Sequence, residues 1–238
     1  MIVSHENRFI FFKPLKVAGT SIEALLSQLC DDTDLITGSL YEEDKYDGYV
    51  SRNNTCDNDL LKFHSHTYPE LFYQKTKSQW SDYFKITAVR DPWEVCVSYY
   101  WWTVWSRENY DNVILESDSQ PEILRKFRRF MLSPVFMDSG AVIPGEWHPT
   151  VVDFISIENE RFLVDDIDFV IRFENIESDT KTLCKKLNMQ YKELPRLKTF
   201  TRKLDYHYSK YYDSLTIDTV SEKFDKTISK FNYKFLKK

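Results

Sequence analysis

The sequence predicts an α/β fold, a central and mainly parallel sheet flanked by helices, in a single domain over residues 1–238. Three observations predict it. Hydrophobic runs at residues 9–12, 84–89 and 167–173 have strand composition. Each leads, through a turn or directly, into a segment with apolar residues at helical spacing. A chain of 238 residues with 42% hydrophobic content suffices for one sizeable core, and 16% aromatic residues with only five glycines argue against low complexity.

The first of these units is Arg8-Phe-Ile-Phe-Phe-Lys-Pro-Leu-Lys-Val-Ala-Gly-Thr-Ser-Ile-Glu23. Ala18, Gly19, Thr20 and Ser21 are small enough for the backbone to pass close to an anion, and Ile22, Leu25, Leu26 and Leu29 recur at helical spacing behind them. The turn therefore sits at a helix N-terminus, where free N–H groups, the dipole and two hydroxyls form an anion site to which Lys16 adds a full charge. A nucleotide triphosphatase loop would place lysine directly before the hydroxyl residue, but here Gly19 holds that place and the lysines, Lys13 and Lys16, lie upstream. On this stretch alone, a plain strand–turn–helix with a solvated lysine is the competing reading.

Residues 31–58 are rich in Asp, Glu, Asn and Gly and read as a long loop, either acceptor-binding or solvated filler. Leu60-Leu-Lys-Phe-His-Ser-His66 follows. On an extended segment His64 and His66 share one face, and histidine titrates near neutrality, so either can take a proton from an attacking hydroxyl. A structural hydrogen-bonding role competes for each. A metal site is not expected, because His5, His148 and His207 supply no third ligand at supporting spacing.

Residues 84–89 read as a buried strand, Asp91 as an N-cap and Pro92 as the first helical position. Trp93, Val97, Tyr100 and Trp101 continue at helical spacing. Arg90 thus falls at a strand's C-terminal end, where open α/β sheets bind ligands, and Ser98 lies about two turns into the helix. A surface ion pair is the alternative for Arg90. Trp101, Trp102 and Trp105 invite sugar stacking, although helical spacing commits at least one to the core. Residues 120–132 form an amphipathic helix with Arg125, Lys126, Arg128 and Arg129, a solvated face or a contact for a polyanion. A loop over 133–149, a strand over 151–155, a strand over 167–173 and a helix over 174–187 complete the middle of the chain.

The formal net charge of −5 argues against nonspecific nucleic-acid binding, so an anionic ligand requires a local cluster. Cys30, Cys56, Cys96 and Cys184 are far apart with no C-x-x-C pair, which predicts reduced thiols and a cytoplasmic location. No apolar run reaches the roughly 20 residues needed to cross a bilayer, and none at the start has signal-peptide length, so a soluble protein is expected.

Two motifs carry a resemblance. Leu-Lys-Val-Ala-Gly-Thr-Ser, through Ser21, resembles the Pro-Lys-Thr-Ala-Gly-Thr-Ser loop of carbohydrate sulfotransferases, with Pro14 one place early and Val17 in place of threonine. Val-Arg-Asp-Pro with Ser98 and Tyr99 is similar to the family's 3′-phosphate motif, with Val95 where an arginine is common. Phe-His-Ser-His together with Ser-Tyr-Tyr resembles the uronyl 2-O-sulfotransferase branch. The resemblance implies a P-loop-kinase-like fold and an O-sulfotransferase that uses 3′-phosphoadenosine 5′-phosphosulfate (PAPS), releases adenosine 3′,5′-bisphosphate (PAP), needs no metal and acts on a carbohydrate acceptor by in-line displacement at sulfur. It implies Lys16, Ala18, Gly19, Thr20 and Ser21 on the 5′-phosphosulfate, Arg90 and Ser98 on the 3′-phosphate, and His64, or His66 in its place, as base. A lysine- and threonine-containing loop that closes over the cofactor falls at residues 195–203, which makes Lys198, Thr199, Arg202 and Lys203 candidates. Lys16 and Arg90 are then expected to meet in one place. The rival classes are a phosphoryl-transfer enzyme on the same fold, and a non-catalytic module binding PAP or a sulfated glycan.

Overall fold

The computed structural model describes residues 1–37, 66–107, 110–135, 149–197 and 201–238. Most of the polar stretch 31–58, with Cys56, and most of the loop 133–149 lie outside the described residues. The chain forms two compact units, Met1–Arg90 with Arg161–Lys198, and Asp91–Glu160 with Thr199–Lys238. Among the described residues the strands are β1 (Ile2–Ser4), β2 (Phe9–Phe11), β3 (Leu35–Ile36), β4 (Phe84–Val89) and β5 (Phe169–Arg172). The helices are α1 (Gly19–Leu26), α2 (Pro69–Lys75), α3 (Lys77–Asp82), α4 (Pro92–Ser106), α5 (Gln120–Leu132), α6 (Val151–Glu160), α7 (Ile176–Lys186), α8 (Ser214–Lys223) and α9 (Asp225–Phe231).

The first unit is built on a five-stranded sheet in the order β3-β1-β2-β4-β5. Strands β2, β4 and β5 run parallel, with Phe11 opposite Ile86 and Val89 opposite Arg172, whereas β1 pairs antiparallel with both β2 and β3. The strands are mostly apolar because both faces are covered, with Ser4, Lys85, Thr87 and Arg172 as the polar positions. Ile2, Phe9, Phe11, Ile86, Ala88 and Ile171 pack with Ile22 and Leu26 of α1 and Leu183 of α7. The intervening Val3 and Ile10 point to the other face, where they meet Phe72 of α2, Trp80 of α3 and Phe162. The expected α/β sheet is thus present, with its parallel half at β2-β4-β5. Strand β1, which sequence reading missed, extends the other half.

The second unit packs around α4. Asp91 caps it, its Oδ1 accepting from the Trp93 and Glu94 amides at 2.9 and 3.3 Å, with Pro92 at the first position. Tyr100 and Trp101 are fully buried among Phe127, Phe130, Ile155, Tyr211, Val220 and Phe224. Their polar atoms are satisfied inside that core: the Tyr100 hydroxyl donates to the Asn112 carbonyl at 2.8 Å, and Trp101 Nε1–H donates to the Tyr211 hydroxyl at 3.1 Å.

One expectation is overturned here. Residues 151–155, read as a strand, begin helix α6. Thr150 and Asp153 form a reciprocal cap, the Asp153 carboxylate accepting from the Thr150 amide at 2.9 Å and the Asp153 amide donating to Thr150 Oγ1 at 3.3 Å. Burial of Val151, Val152, Ile155 and Asn159 follows the helical period, so local capping and packing override the β-branched composition.

Candidate active site

Parallel pairing of β2, β4 and β5 brings three chain exits to one edge of the first unit's sheet. Strand β2 leaves into residues 13–18, β4 into Arg90 and β5 into Phe173. The loop after β2 is shaped by two left-handed residues, Lys16 and Ala18, each with φ of 60°. Ala18 is also the N-cap of α1 and has no side chain that can accept from the helix. The first intrahelical bond runs from the Ile22 amide to the Ala18 carbonyl at 3.2 Å, so the amides of Gly19, Thr20 and Ser21 have no intrahelical acceptor. Alternating backbone handedness ahead of a helix start is the geometry of an anion-binding concavity.

Lys16 and Arg90 meet at this edge. Arg90 donates from Nη1 to the Lys16 carbonyl at 3.1 Å, and its guanidinium lies over the Phe173 ring, 3.9 Å from the centroid. Ser21 is buried, and its hydroxyl accepts from the Leu197 amide at 3.2 Å. The start of the basic 195–203 segment is thereby tied to α1.

Beneath the loop lies a charged group that sequence reading did not assign. Lys13 is 8% exposed and its ammonium sits 2.5 Å from the carboxylate of Glu23, which is 1% exposed. The amino group of Met1 meets the other oxygen of Glu23 at 2.6 Å. Burial alone would raise the Glu23 carboxyl, but Lys13 and the Met1 ammonium outweigh it and hold it down at about 2. Gly19 leaves room for the Lys13 stem, since a Cβ there would stand 2.5 Å from Lys13 Cγ. His66, partly buried, has Nδ1 2.7 Å from the Lys13 carbonyl. A carbonyl only accepts, so Nδ1 carries the proton and Nε2 carries the lone pair. Burial, and secondarily the Lys13 charge, pushes this imidazole down to about 4, which keeps it neutral at pH 7.

The other expected residues divide. Ser98 lies on α4 in the second unit. Arg202, also in the second unit, directs its guanidinium to the Glu94 carboxylate at 3.3 Å and to the carbonyls of Leu204 and Tyr206. Lys203 is exposed in the same unit. His64, Lys198 and Thr199 lie outside the described residues. Trp101 belongs to the core, while Trp105 is 44% exposed. Of the basic residues on α5, Lys126 pairs with Asp118 at 2.6 Å and the exposed Arg128 with Asp213; Arg125 and Arg129 are exposed as well. Among the described residues, no group of three or more His, Cys, Asp or Glu side chains is arranged to hold a metal ion. No helix among them is long and apolar enough to cross a membrane.

A profile of the sulfotransferase family matches residues 1–238. The chain belongs to the sulfotransferase family. It is an enzyme of sulfuryl transfer, of a family that generally takes the sulfuryl group from PAPS. Comparison with curated proteins and with solved structures finds no match. For this sulfotransferase the left-handed loop, the uncapped α1 amides, Lys16 and Arg90 make a donor set suited to a polyanion, and on that chemistry they fit a phosphosulfate.

Proposed function

We propose that this sulfotransferase uses PAPS to sulfate a hydroxyl of a carbohydrate, in the manner of the uronyl 2-O branch, with histidine as base. The observation that carries the reading is the Arg90–Lys16 bond, which joins the two motifs of the resemblance at the C-terminal edge of a parallel sheet. Bound PAPS supplies an activated sulfuryl group to the attacking hydroxyl. The amides of Gly19, Thr20 and Ser21, the Thr20 hydroxyl and the Lys16 ammonium would hold the 5′ end, and Lys16 would stabilise charge that grows on the bridging oxygen. Arg90 would hold the 3′-phosphate. His66 Nε2 accepts the proton of the acceptor hydroxyl, a role shared or taken by His64. A sulfuryl group carries less charge than a phosphoryl group, so a lysine suffices for this stabilisation.

PAP is expected to raise the thermal midpoint more than ATP with magnesium, and the protein is expected to move radiolabelled sulfate from PAPS to at least one member of a uronic-acid glycan panel. Lys16→Ala abolishes that transfer. Stabilisation by ATP alone refutes the donor assignment, and transfer to tyrosine or phenols but to no glycan refutes the acceptor class.

A further inference from the structure

We infer that the buried Lys13–Glu23 pair is a positioning device for His66, holding the Lys13 carbonyl so that it fixes the imidazole with Nε2 as its proton acceptor. The inference rests on the reading of His66 as a base, but its geometry stands apart from any substrate.

Lys13 is the second residue after β2, and the backbone on either side of it is immobilised. Phe12 donates its amide to the Ile86 carbonyl at 2.8 Å, and its own carbonyl accepts from Thr87 Oγ1 at 3.3 Å. Pro14 follows and restricts the Lys13 backbone to extended conformations. The side chain is clamped as tightly. Its stem lies against Gly19 and its ammonium is paired with Glu23, which α1 carries on its first turn and a half. The carbonyl that meets His66 is therefore set from both sides, by the sheet and by α1.

A simple structural salt bridge would not need this arrangement. Replacing a buried pair by apolar residues is often neutral or stabilising, so the pair contributes little to stability that packing alone would not. What an apolar pair would not supply is a fixed charge balance beside the imidazole. Three ionisable groups act on the His66 charge: the Lys13 ammonium and the Met1 amino group, itself lowered to about 6 by burial, which oppose its protonation, and the Glu23 carboxylate, which favours it. Glu23 thus offsets part of the cationic field that would otherwise weaken Nε2 as a base. Glu23 and Lys13 touch no reacting atom, and both act through His66.

The test uses the full chain and nuclear magnetic resonance. Long-range proton–nitrogen spectra of the unmodified protein at pH 7 are expected to show His66 with Nδ1 protonated and Nε2 bare; the opposite tautomer overturns the inference without any variant. Glu23→Gln is expected to move the His66 titration midpoint down and Lys13→Met to move it up, with matching displacements of the acidic limb of kcat and little change in KM. Unchanged midpoints in both variants overturn it as well. Separately, His66→Ala should lower kcat by about 100-fold or more if His66 is the base. Retention of activity in His66→Ala with the expected tautomer and midpoints would refute the base assignment while leaving the positioning geometry intact.

Discussion

Gly19→Ala gives the sharpest reading of the loop. In a helix, alanine exceeds glycine by up to about 1 kcal/mol, so propensity alone predicts stabilisation. The structure predicts the reverse. The added methyl would stand 2.5 Å from Lys13 Cγ and 3.2 Å from Cδ and Cε, against a comfortable carbon–carbon separation of about 3.5–4.0 Å. The obstructing atom is not the loose end of a long side chain: Cγ is near the root of Lys13, and the far end is anchored to Glu23 at 2.5 Å. Overpacking of this kind costs about 1–3 kcal/mol. Less the propensity gain, Gly19→Ala should destabilise by up to roughly 2 kcal/mol, seen in urea unfolding as a lower midpoint at unchanged slope. In a Lys13→Ala background the same substitution should be neutral or stabilising, and the difference between the two backgrounds measures the clash. Equal or greater stability of Gly19→Ala in the unmodified background would refute the close packing of Lys13 on α1.

Three further outcomes follow from the same edge of the sheet. Arg90→Lys loses the bond to the Lys16 carbonyl and the stacking on Phe173, so it should cost about 1–2 kcal/mol in urea unfolding and weaken PAP binding at least about tenfold by calorimetry. Ser21→Ala leaves the Leu197 amide without its acceptor and should cost about 1 kcal/mol, with faster amide exchange at Leu197 in hydrogen–deuterium measurements. Stability should also fall as pH drops, first from 8 towards 6 as the buried Met1 amino group, lowered to about 6, takes up its proton, and then in two acid stages. His66, held down at about 4 by burial and the Lys13 charge, stabilises the fold fully above its ordinary value of 6.5, and that contribution is lost as pH falls from 6.5 towards 4. Glu23, lowered to about 2, gives a second loss as pH falls from 4.5 towards 2. In thermal melts across pH, His66→Gln should flatten the first acid stage and leave the second.

The parts of the fold written in local chemistry were legible in the sequence. Asp91-Pro92 announced the start of α4, the run at residues 84–89 is strand β4, and residues 120–132 are α5. Small residues at Ala18, Gly19, Thr20 and Ser21 announced a turn at a helix start, and the structure adds left-handed backbone at Lys16 and Ala18. Residues 151–155 are helical because the Thr150-x-x-Asp153 cap, whose spacing is present in the sequence, and helical-period burial outweigh β-branched and aromatic composition. The Lys13–Glu23 pair was not legible for a different reason. Its members lie ten positions apart on different elements, and no spacing rule separates a buried lysine from a solvated one. The unpromising brevity of β1, three residues, hid it in the same way, since its strand character comes from pairing with β2 and β3.

The thiols offer a way to watch each unit on its own. Cys96 is fully buried on α4 in the second unit and Cys184 on α7 in the first, and burial pushes both thiols up, away from the reactive thiolate. Alkylating reagents should reach them only through transient opening of the surrounding helices, while the partly exposed Cys30 marks reagent delivery. Peptide mass spectrometry after timed alkylation would then separate the opening rates of the sheet-bearing half and the helical half in a single unlabelled sample.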